Sequence, residues 1–241
     1  MSDPAKSNTI HKVSSPSFSS FSAAKEAFFA PHFRSPKPLV TRNHFIAALY
    51  LRKVVFVDEQ RCDAANEFDD ADDTQCLHWL LTTLENEEDG EEPAAIVRLA
   101  PASVQLHVEG KDKLENDGAE RPSAKEQEIL DSPDMERSHV WDGKELYVTL
   151  GRLATLREYR GRGYGRMLVE AAVEYARQHP EEMVSKQGLD GRWKGLIQAH
   201  AQKAVVEFYA KLGFEVDEGM GRFWEEGIEH VGVWRRVRVD E

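Results

Sequence analysis

The stretch from Leu153 to Tyr175 constrains the fold more than any other part of the sequence. It predicts the end of a strand, a glycine-rich loop and then an amphipathic helix. The loop interleaves Gly161, Gly163 and Gly165 with Arg160, Arg162 and Arg166. Closely spaced glycines let backbone N–H groups converge on an anion, because no Cβ blocks the approach. Since the helix adds its positive dipole end, the stretch predicts a phosphate or pyrophosphate site.

The spacing of the glycines narrows the class of ligand. A dinucleotide fingerprint needs G-x-G-x-x-G, and here the third glycine comes one residue early; no Walker lysine follows either. The segment Arg160–Gly165 instead resembles the R/Q-x-x-G-x-G/A signature of the GNAT superfamily of acetyl-CoA-dependent N-acetyltransferases. The alternative is a glycine-rich surface turn without a ligand. The resemblance implies that acetyl-CoA contacts Leu153, Ala154, Thr155, Arg160, Gly161, Arg162, Gly163, Tyr164, Gly165 and Arg166.

A second segment, Gln202 to Phe214, resembles the later N-x-x-A-x-x-F-Y-x-K-x-G-F segment of the same superfamily. Gln202 stands where Asn is common, and Val205 where Ala is common. The apolar residues follow helical spacing, which indicates one buried face. The resemblance implies that Gln202 contacts the cofactor and that Tyr209 is the general acid. The alternative for Tyr209 is an ordinary core residue.

Two outer segments resemble the ElaA-like branch. Arg52–Cys62 and the acidic run that follows it resemble the start of these proteins, and Glu225–Trp234 resembles their closing strand. The acids of this run are Glu67, Asp69, Asp70, Asp72 and Asp73. The similarities touch most of residues 40–100 and 145–236. They imply the α/β GNAT acyl-CoA N-acyltransferase fold, with a central mixed, twisted sheet flanked by helices.

Composition excludes several classes of protein. A hydrophobic share of 41% and a charged share of 31% are typical of a soluble globular protein. No apolar run is long enough for a membrane span. The net charge of -12 argues against nucleic acid as a partner. Two cysteines without a C-x-x-C motif or a His cluster at zinc spacing favour a reducing, cytoplasmic location and no metal.

The order of elements predicts one domain with additions. Residues 1–36 are expected to be a flexible arm with a short helix near Ala23–Phe29, and 37–241 the GNAT domain with a polar insertion near 101–143. Leu39–Thr41 is expected to be the first strand. Helices are predicted at Arg42–Val57, Arg166–Gln178 and Lys203–Leu212. Further strands are predicted at Cys76–Thr83, Ala94–Leu99, Leu146–Leu153, Leu196–Ala199, Phe214–Asp217 and His230–Val239.

Acyl transfer to an amine requires a neutral amine and a protonated leaving thiol. A general base therefore helps, since an alkylammonium of pKa about 10.4 is almost wholly charged at neutral pH. Glu59 is the predicted base, and His200 and His230 are alternatives of suitable ordinary pKa. Phe56, Glu59 and His230 are the predicted acceptor-site residues. The run from Glu67 to Asp73 could attract a cationic amine, or it could be a solvated loop.

The sequence thus predicts an N-acetyltransferase that moves the acetyl group of acetyl-CoA to a primary amine by direct attack in a ternary complex. A small cationic amine, such as a polyamine or amino sugar, is the preferred acceptor. The alternatives are a protein Lys or N-terminal acetyltransferase, and a non-catalytic module that binds acyl-CoA or an amine and regulates a partner. No membrane partner is expected, and a homodimer is one option for assembly.

Overall fold

The computed structural model describes residues 7–13, 44–67, 73–84, 90–102, 135–184 and 191–239. Among them it contains eight strands in a mixed sheet, together with a few helices. Hydrogen bonding orders the strands β1-β2-β3-β4-β5-β8-β6, and β7 pairs with β8. The chain divides into two compact units. The first unit comprises Met1–Ala100 and Gly151–Glu174, and the second comprises Pro101–Leu150 and Tyr175–Glu241.

The first unit contains an antiparallel ladder of β1 (Ser7–Val13), β2 (Leu77–Leu84) and β3 (Glu92–Ala100). Most residues of β2 and β3 are buried in succession, which explains why their sequences are runs of apolar residues and not alternations. Helix α1 (His44–Arg52) continues into a π-helical segment, Lys53–Glu59, and is followed by the short helix α2 (Ala64–Glu67).

Strand β4 (Tyr147–Thr155) begins in the second unit, where it pairs in parallel with β5 (Leu196–Gln202). Strand β8 (Ile228–Arg236) is antiparallel to β5 and also pairs with β6 (Glu215–Val216) and β7 (Arg222–Glu225). Helix α3 (Tyr164–Gln178) follows β4, and α4 (Val206–Lys211) follows β5. A core cluster of this unit consists of Tyr147, Leu196, Met220 and Trp234.

The expected α/β fold with a mixed sheet is confirmed. The prediction that residues 1–36 form a flexible arm is wrong for Ser7–Val13. All seven residues pair with β2, from Ser7 opposite Leu84 to Val13 opposite His78. An edge strand needs backbone hydrogen bonds more than apolar burial, and most of β1 is exposed. Leu39–Thr41 is therefore not the first strand. It lies outside the described residues, as do Ala23–Phe29 and 103–134 of the insertion.

The described end of the insertion, 135–143, is attached to Asp217. The Asp217 carboxylate accepts hydrogen bonds from Ser138 Oγ at 2.5 Å and from the His139 N–H at 3.0 Å. Burial acts to raise the pKa of Asp217, but these bonds prevail and hold it below its usual range. Neither this attachment nor strand β7 was predicted from the sequence. No described helix is both long enough and apolar enough to cross a bilayer.

Candidate functional site

The glycine-rich loop has the predicted strand–loop–helix form. Leu153, Ala154 and Thr155 end β4, and α3 begins at Tyr164. Gly161 and Gly163 have φ of 77° and 82°, in the left-handed region that side chains disfavour. A Cβ at either position would meet no protein atom within 4 Å. Packing therefore does not require glycine at these two positions. The left-handed backbone favours glycine, and the absence of a Cβ leaves the backbone open to a ligand. Gly165 lies within the first turn of α3.

Arg160 anchors the loop to its own unit. Its Nε donates to the Thr155 carbonyl at 3.0 Å, and its Nη2 donates to Glu59 Oε2 at 2.7 Å. Arg162 lies over the Tyr159 ring, 5.1 Å from its centroid, and Arg166 donates to Glu170 at 2.9 Å. Because the arginine side chains have these protein contacts, the backbone N–H groups are the loop's natural donors to an anion.

Tyr164 links the loop to β1. Its side chain is buried, and its hydroxyl donates to Asn8 Oδ1 at 3.0 Å. The neighbouring Tyr159 donates to Glu92 Oε2 at 2.8 Å. The side chain of Tyr164 is therefore occupied by contacts within the protein. Its predicted role in binding the cofactor is left to its backbone N–H. Sequence reasoning missed the Asn8 contact because it treated residues 1–36 as an arm.

Glu59 and Phe56 both lie on the π-helical segment of the first unit. Glu59 is half-buried, and besides Arg160 it lies 3.8 Å from Arg157 Nη2. Phe56 is half-buried, and its carbonyl accepts the Cys62 N–H at 2.9 Å. The predicted roles of Glu59 as base and of both residues in the acceptor site stay predictions. The ion pair gives Glu59 a second role, which is to hold Arg160.

The described acids of the acidic run are buried, so the prediction that they attract an amine from solvent is wrong for Glu67 and Asp73. Asp73 is fully buried and accepts from Arg52 Nη1 at 2.8 Å and Arg98 Nη1 at 3.0 Å. Arg52 and Arg152 approach the Glu67 carboxylate at 3.5 and 3.2 Å. Asp69, Asp70 and Asp72 lie outside the described residues.

This buried charge cluster, made of Arg52, Glu67, Asp73, Arg98 and Arg152, has a neutral neighbour in His78. Burial opposes the charged form of Asp73, yet Arg52 and Arg98 prevail and lower its pKa to about 2. Burial lowers the pKa of His78 to about 4, and its Nε2 donates to the Asp73 carbonyl at 3.2 Å. Burial also lowers the pKa of Arg152 to about 10, which leaves it charged at neutral pH.

In the second unit, Tyr209 lies on α4 as predicted and is 5% exposed. Its ring contacts Phe208 and Phe214 edge to face, each at a centroid distance of 5.4 Å. Burial raises the pKa of its hydroxyl well above the ordinary value, so the group keeps its proton at neutral pH. The residue is thus packed like a core tyrosine and protonated as a general acid must be. Gln202 is half-buried at the end of β5.

Two histidines of the second unit flank Glu225. His200 Nδ1 lies 2.6 Å from Glu225 Oε1, and Gln198 Nε2 lies 3.1 Å from His200 Nε2. The amide of Gln198 is oriented by Thr149, which donates to its Oε1 at 3.4 Å. This arrangement favours the tautomer in which His200 donates from Nδ1 to the carboxylate and keeps a lone pair on Nε2. Sequence reasoning did not find the pair, since it missed β7, which carries Glu225.

His230, the predicted acceptor-site histidine, is more deeply buried. It is 7% exposed, its Nδ1 donates to the Ile228 carbonyl at 2.7 Å, and its ring stacks on Phe223 at 6.0 Å. Burial lowers its pKa, although Glu225 acts in the opposite direction. These contacts favour a structural part for His230 over the acceptor contact predicted from sequence, which stays a prediction.

Comparisons with known proteins agree with this geometry. The acetyltransferase (GNAT) domain profile matches residues 134–216. The uncharacterized protein YyaT of Bacillus subtilis (strain 168) is 25% identical over 203 residues, which cover 83% of this chain and 95% of YyaT. The crystal structure of a candidate N-acetyltransferase from Lactobacillus plantarum superimposes with a TM-score of 0.50 and 20% identity, over 95% of this chain and 98% of that one.

Escherichia coli ElaA superimposes with a TM-score of 0.48 and 20% identity, over 83% of this chain and 95% of ElaA. The matched domain profile includes β4, the glycine-rich loop, α3 and α4, so both superfamily segments quoted from the sequence lie within it. Residues 134–216 therefore match the GNAT acetyltransferase domain, and the chain has the acyl-CoA N-acyltransferase fold.

Proposed function

We propose that this enzyme transfers the acetyl group of acetyl-CoA to a primary amine by direct attack of the amine on the thioester. The observation that carries the proposal is the loop at Gly161 and Gly163, whose left-handed backbone stands open in front of helix α3. Such a loop offers converging N–H groups and a helix dipole to a pyrophosphate. By family resemblance, Leu153, Ala154, Thr155 and Gln202 contact the rest of the cofactor.

Calorimetric titration of acetyl-CoA into the Gly163→Val variant tests this role of the loop. The branched side chain would fill the open approach and weaken binding. Gly227→Val is a matched control, because Gly227 has a φ of 73° and equally open surroundings in the turn between β7 and β8. It carries the same backbone strain away from the loop. Equal affinity of both folded variants would contradict the assignment.

We assign Tyr209 the role of general acid toward the departing thiolate. A thiol of ordinary pKa about 8.5 leaves as a base that a tyrosine hydroxyl can protonate. A tyrosine hydroxyl of ordinary pKa about 10 is protonated at neutral pH, so Tyr209 has a proton to donate. The Tyr209→Phe variant keeps the ring packing and should lower kcat roughly ten- to a thousandfold, with little change in acetyl-CoA affinity.

Tyr147→Phe is the control for this substitution. Tyr147 is also a buried tyrosine of the second unit whose pKa is raised by burial, and it packs between Trp141 and Trp234. Loss of its hydroxyl should leave kcat unchanged. Near-normal turnover of Tyr209→Phe would show that water or another group protonates the thiolate.

Two residues compete for the role of general base. Glu59 is the residue predicted from sequence, but it is engaged by Arg160. His200 has a carboxylate on Nδ1 that orients its ring, and its Nε2 carries the lone pair that would take the proton of an amine replacing the Gln198 amide. We favour His200. His200→Gln should lower kcat, and Glu225→Gln should lower it less, because the second change removes only the partner that orients the His200 ring.

A small cationic amine remains our first choice of acceptor, supported by the net charge of -12. A protein Lys or N-terminal acceptor is the second choice. Thiol release from acetyl-CoA should be measured with polyamines, amino sugars and peptides bearing a free N-terminus or lysine. Acetyl-CoA binding without release in any case would favour the non-catalytic regulatory module. A cytoplasmic location and a homodimer remain predictions, and neither Cys62 nor Cys76 forms a disulfide.

A further inference from the structure

Three side chains with metal-binding atoms converge in the first unit, at the edge of the sheet. His11 lies on β1, His44 begins α1, and Glu91 immediately precedes β3. One ligand atom from each lies within 4.8 Å of the other two. All three side chains belong to half-buried residues. Separate elements therefore supply two imidazoles and one carboxylate to one small volume.

The buried Thr82 organises two of these groups. Its hydroxyl donates to Glu91 Oε2 at 2.9 Å and lies 2.9 Å from His11 Nε2. His11 Nε2 is itself 3.2 Å from Glu91 Oε2. Ligands of a tetrahedral zinc ion, each about 2.0–2.2 Å from the metal, lie about 3.3 Å apart. The His11–Glu91 separation already meets this requirement.

His44 completes the set. Its ring lies tilted against that of His11, with a centroid distance of 4.0 Å and an interplanar angle of 35°. Because the three ligand atoms lie within 4.8 Å of one another, reaching the zinc ligand spacing requires at most about 1.5 Å of movement, which rotation of half-buried side chains can supply. Two imidazoles and a carboxylate are ligands that Zn²⁺ prefers, and Thr82 is an outer hydrogen-bond partner of the usual kind.

We propose that His11, His44 and Glu91 bind one divalent transition-metal ion, with Zn²⁺ as the representative. The ion would join β1 to α1 and to the start of β3, and so fasten the N-terminal edge strand to its unit. The site is independent of the proposed acyl transfer and departs from our expectation, based on sequence spacing, that the protein has no metal.

The test uses the full chain, freed of any affinity tag and treated with chelator. Co²⁺ titration followed by visible ligand-field absorption, then displacement by Zn²⁺, gives the stoichiometry and affinity. Wild type should bind one ion per chain, and Zn²⁺ should raise its Tm. His44→Ala and Glu91→Gln should each weaken binding by about tenfold or more and remove the rise in Tm. Glu91→Gln keeps the side-chain shape, so it carries the test if His44→Ala does not fold.

His179→Ala is the matched control. His179, Glu181 and Glu182 form another described group of metal-binding side chains, in which both glutamates are exposed. Its loss should leave affinity and Tm response unchanged. The proposal is overturned if wild type shows no saturable binding, if both cluster variants bind as wild type does, or if His179→Ala alone abolishes binding.

Discussion

Asp73 and Glu59 are two carboxylates of the first unit that face arginines, yet their surroundings differ. Asp73 is fully buried between Arg52 and Arg98, and its pKa is lowered to about 2. Glu59 is half-buried beside the exposed guanidinium of Arg160. The first carboxylate cannot leave its partners without stranding buried charge, whereas water can replace the partner of the second. Asp73 therefore contributes to the free energy of unfolding, whereas Glu59 positions the glycine-rich loop and contributes little to that free energy.

The comparison is tested most strongly by Asp73→Asn. This substitution keeps the side-chain shape but removes the buried negative charge that faces Arg52 and Arg98, so we expect a loss of about 3–5 kcal/mol in the free energy of unfolding. Urea denaturation measures it. The control is Asp58→Asn, because Asp58 is exposed and pairs with Lys53 at 2.7 Å. That change should cost at most about 1 kcal/mol. Similar losses in both variants would contradict the distinction.

The pH dependence of stability gives the next effect in size. The folded-state pKa of Asp73 is about 2, below the ordinary 3.8, so its contribution is present above about pH 4 and is lost as the pH falls toward 2. The difference corresponds to about 2 kcal/mol. The free energy of unfolding of wild type should fall as the pH is lowered from about 4 to 2. The free energy of unfolding of Asp73→Asn should not show this fall.

His78 extends the acid sensitivity to higher pH. Its folded-state pKa of about 4 lies below the ordinary 6.5, so the unfolded chain takes up the proton first. Stability supported by neutral His78 is complete above about pH 6.5 and declines as the pH falls toward 4. A wild-type stability that stays constant from pH 6.5 to 4 would show that His78 is protonated without penalty.

The sequence predicted the strand–loop–helix form of the glycine-rich stretch and the helical position of Tyr209 because these signals are local. The spacing of Gly161 and Gly163 fixes a turn, and helical periodicity places Tyr209 on the buried face of α4. The roles of the acids could not be found this way. Asp73 resembles a solvated acid, since its partners Arg52 and Arg98 lie 21 and 25 positions away. Only the packing of α1 and β3 brings them together.

The same limit explains the other omissions. The His200–Glu225 contact depends on β7, a strand of four residues that is too short for an alternating pattern to stand out. Strand β1 is mostly exposed, so its apolar content does not reveal that its backbone pairs with β2. The His11 cluster depends on that pairing, which brings residues from three elements together regardless of their spacing in sequence.

The smallest expected effect is that of Glu59→Gln. The ion pair with Arg160 is partly exposed, so stability should change by less than about 1 kcal/mol. If Glu59 only positions Arg160, the KM for acetyl-CoA should rise by up to about fivefold, the kinetic equivalent of that energy, while kcat and its pH profile hold. Arg160→Gln should have an equal or larger effect, because it also removes the hydrogen bond to the Thr155 carbonyl, and the double variant should be no worse than Arg160→Gln. Glu59→Gln could instead cause a large fall in kcat and a shifted pH profile, and this fall could add to the effect of Arg160→Gln. That result would identify Glu59 as the general base, and of these two carboxylates only Asp73 would have a structural role.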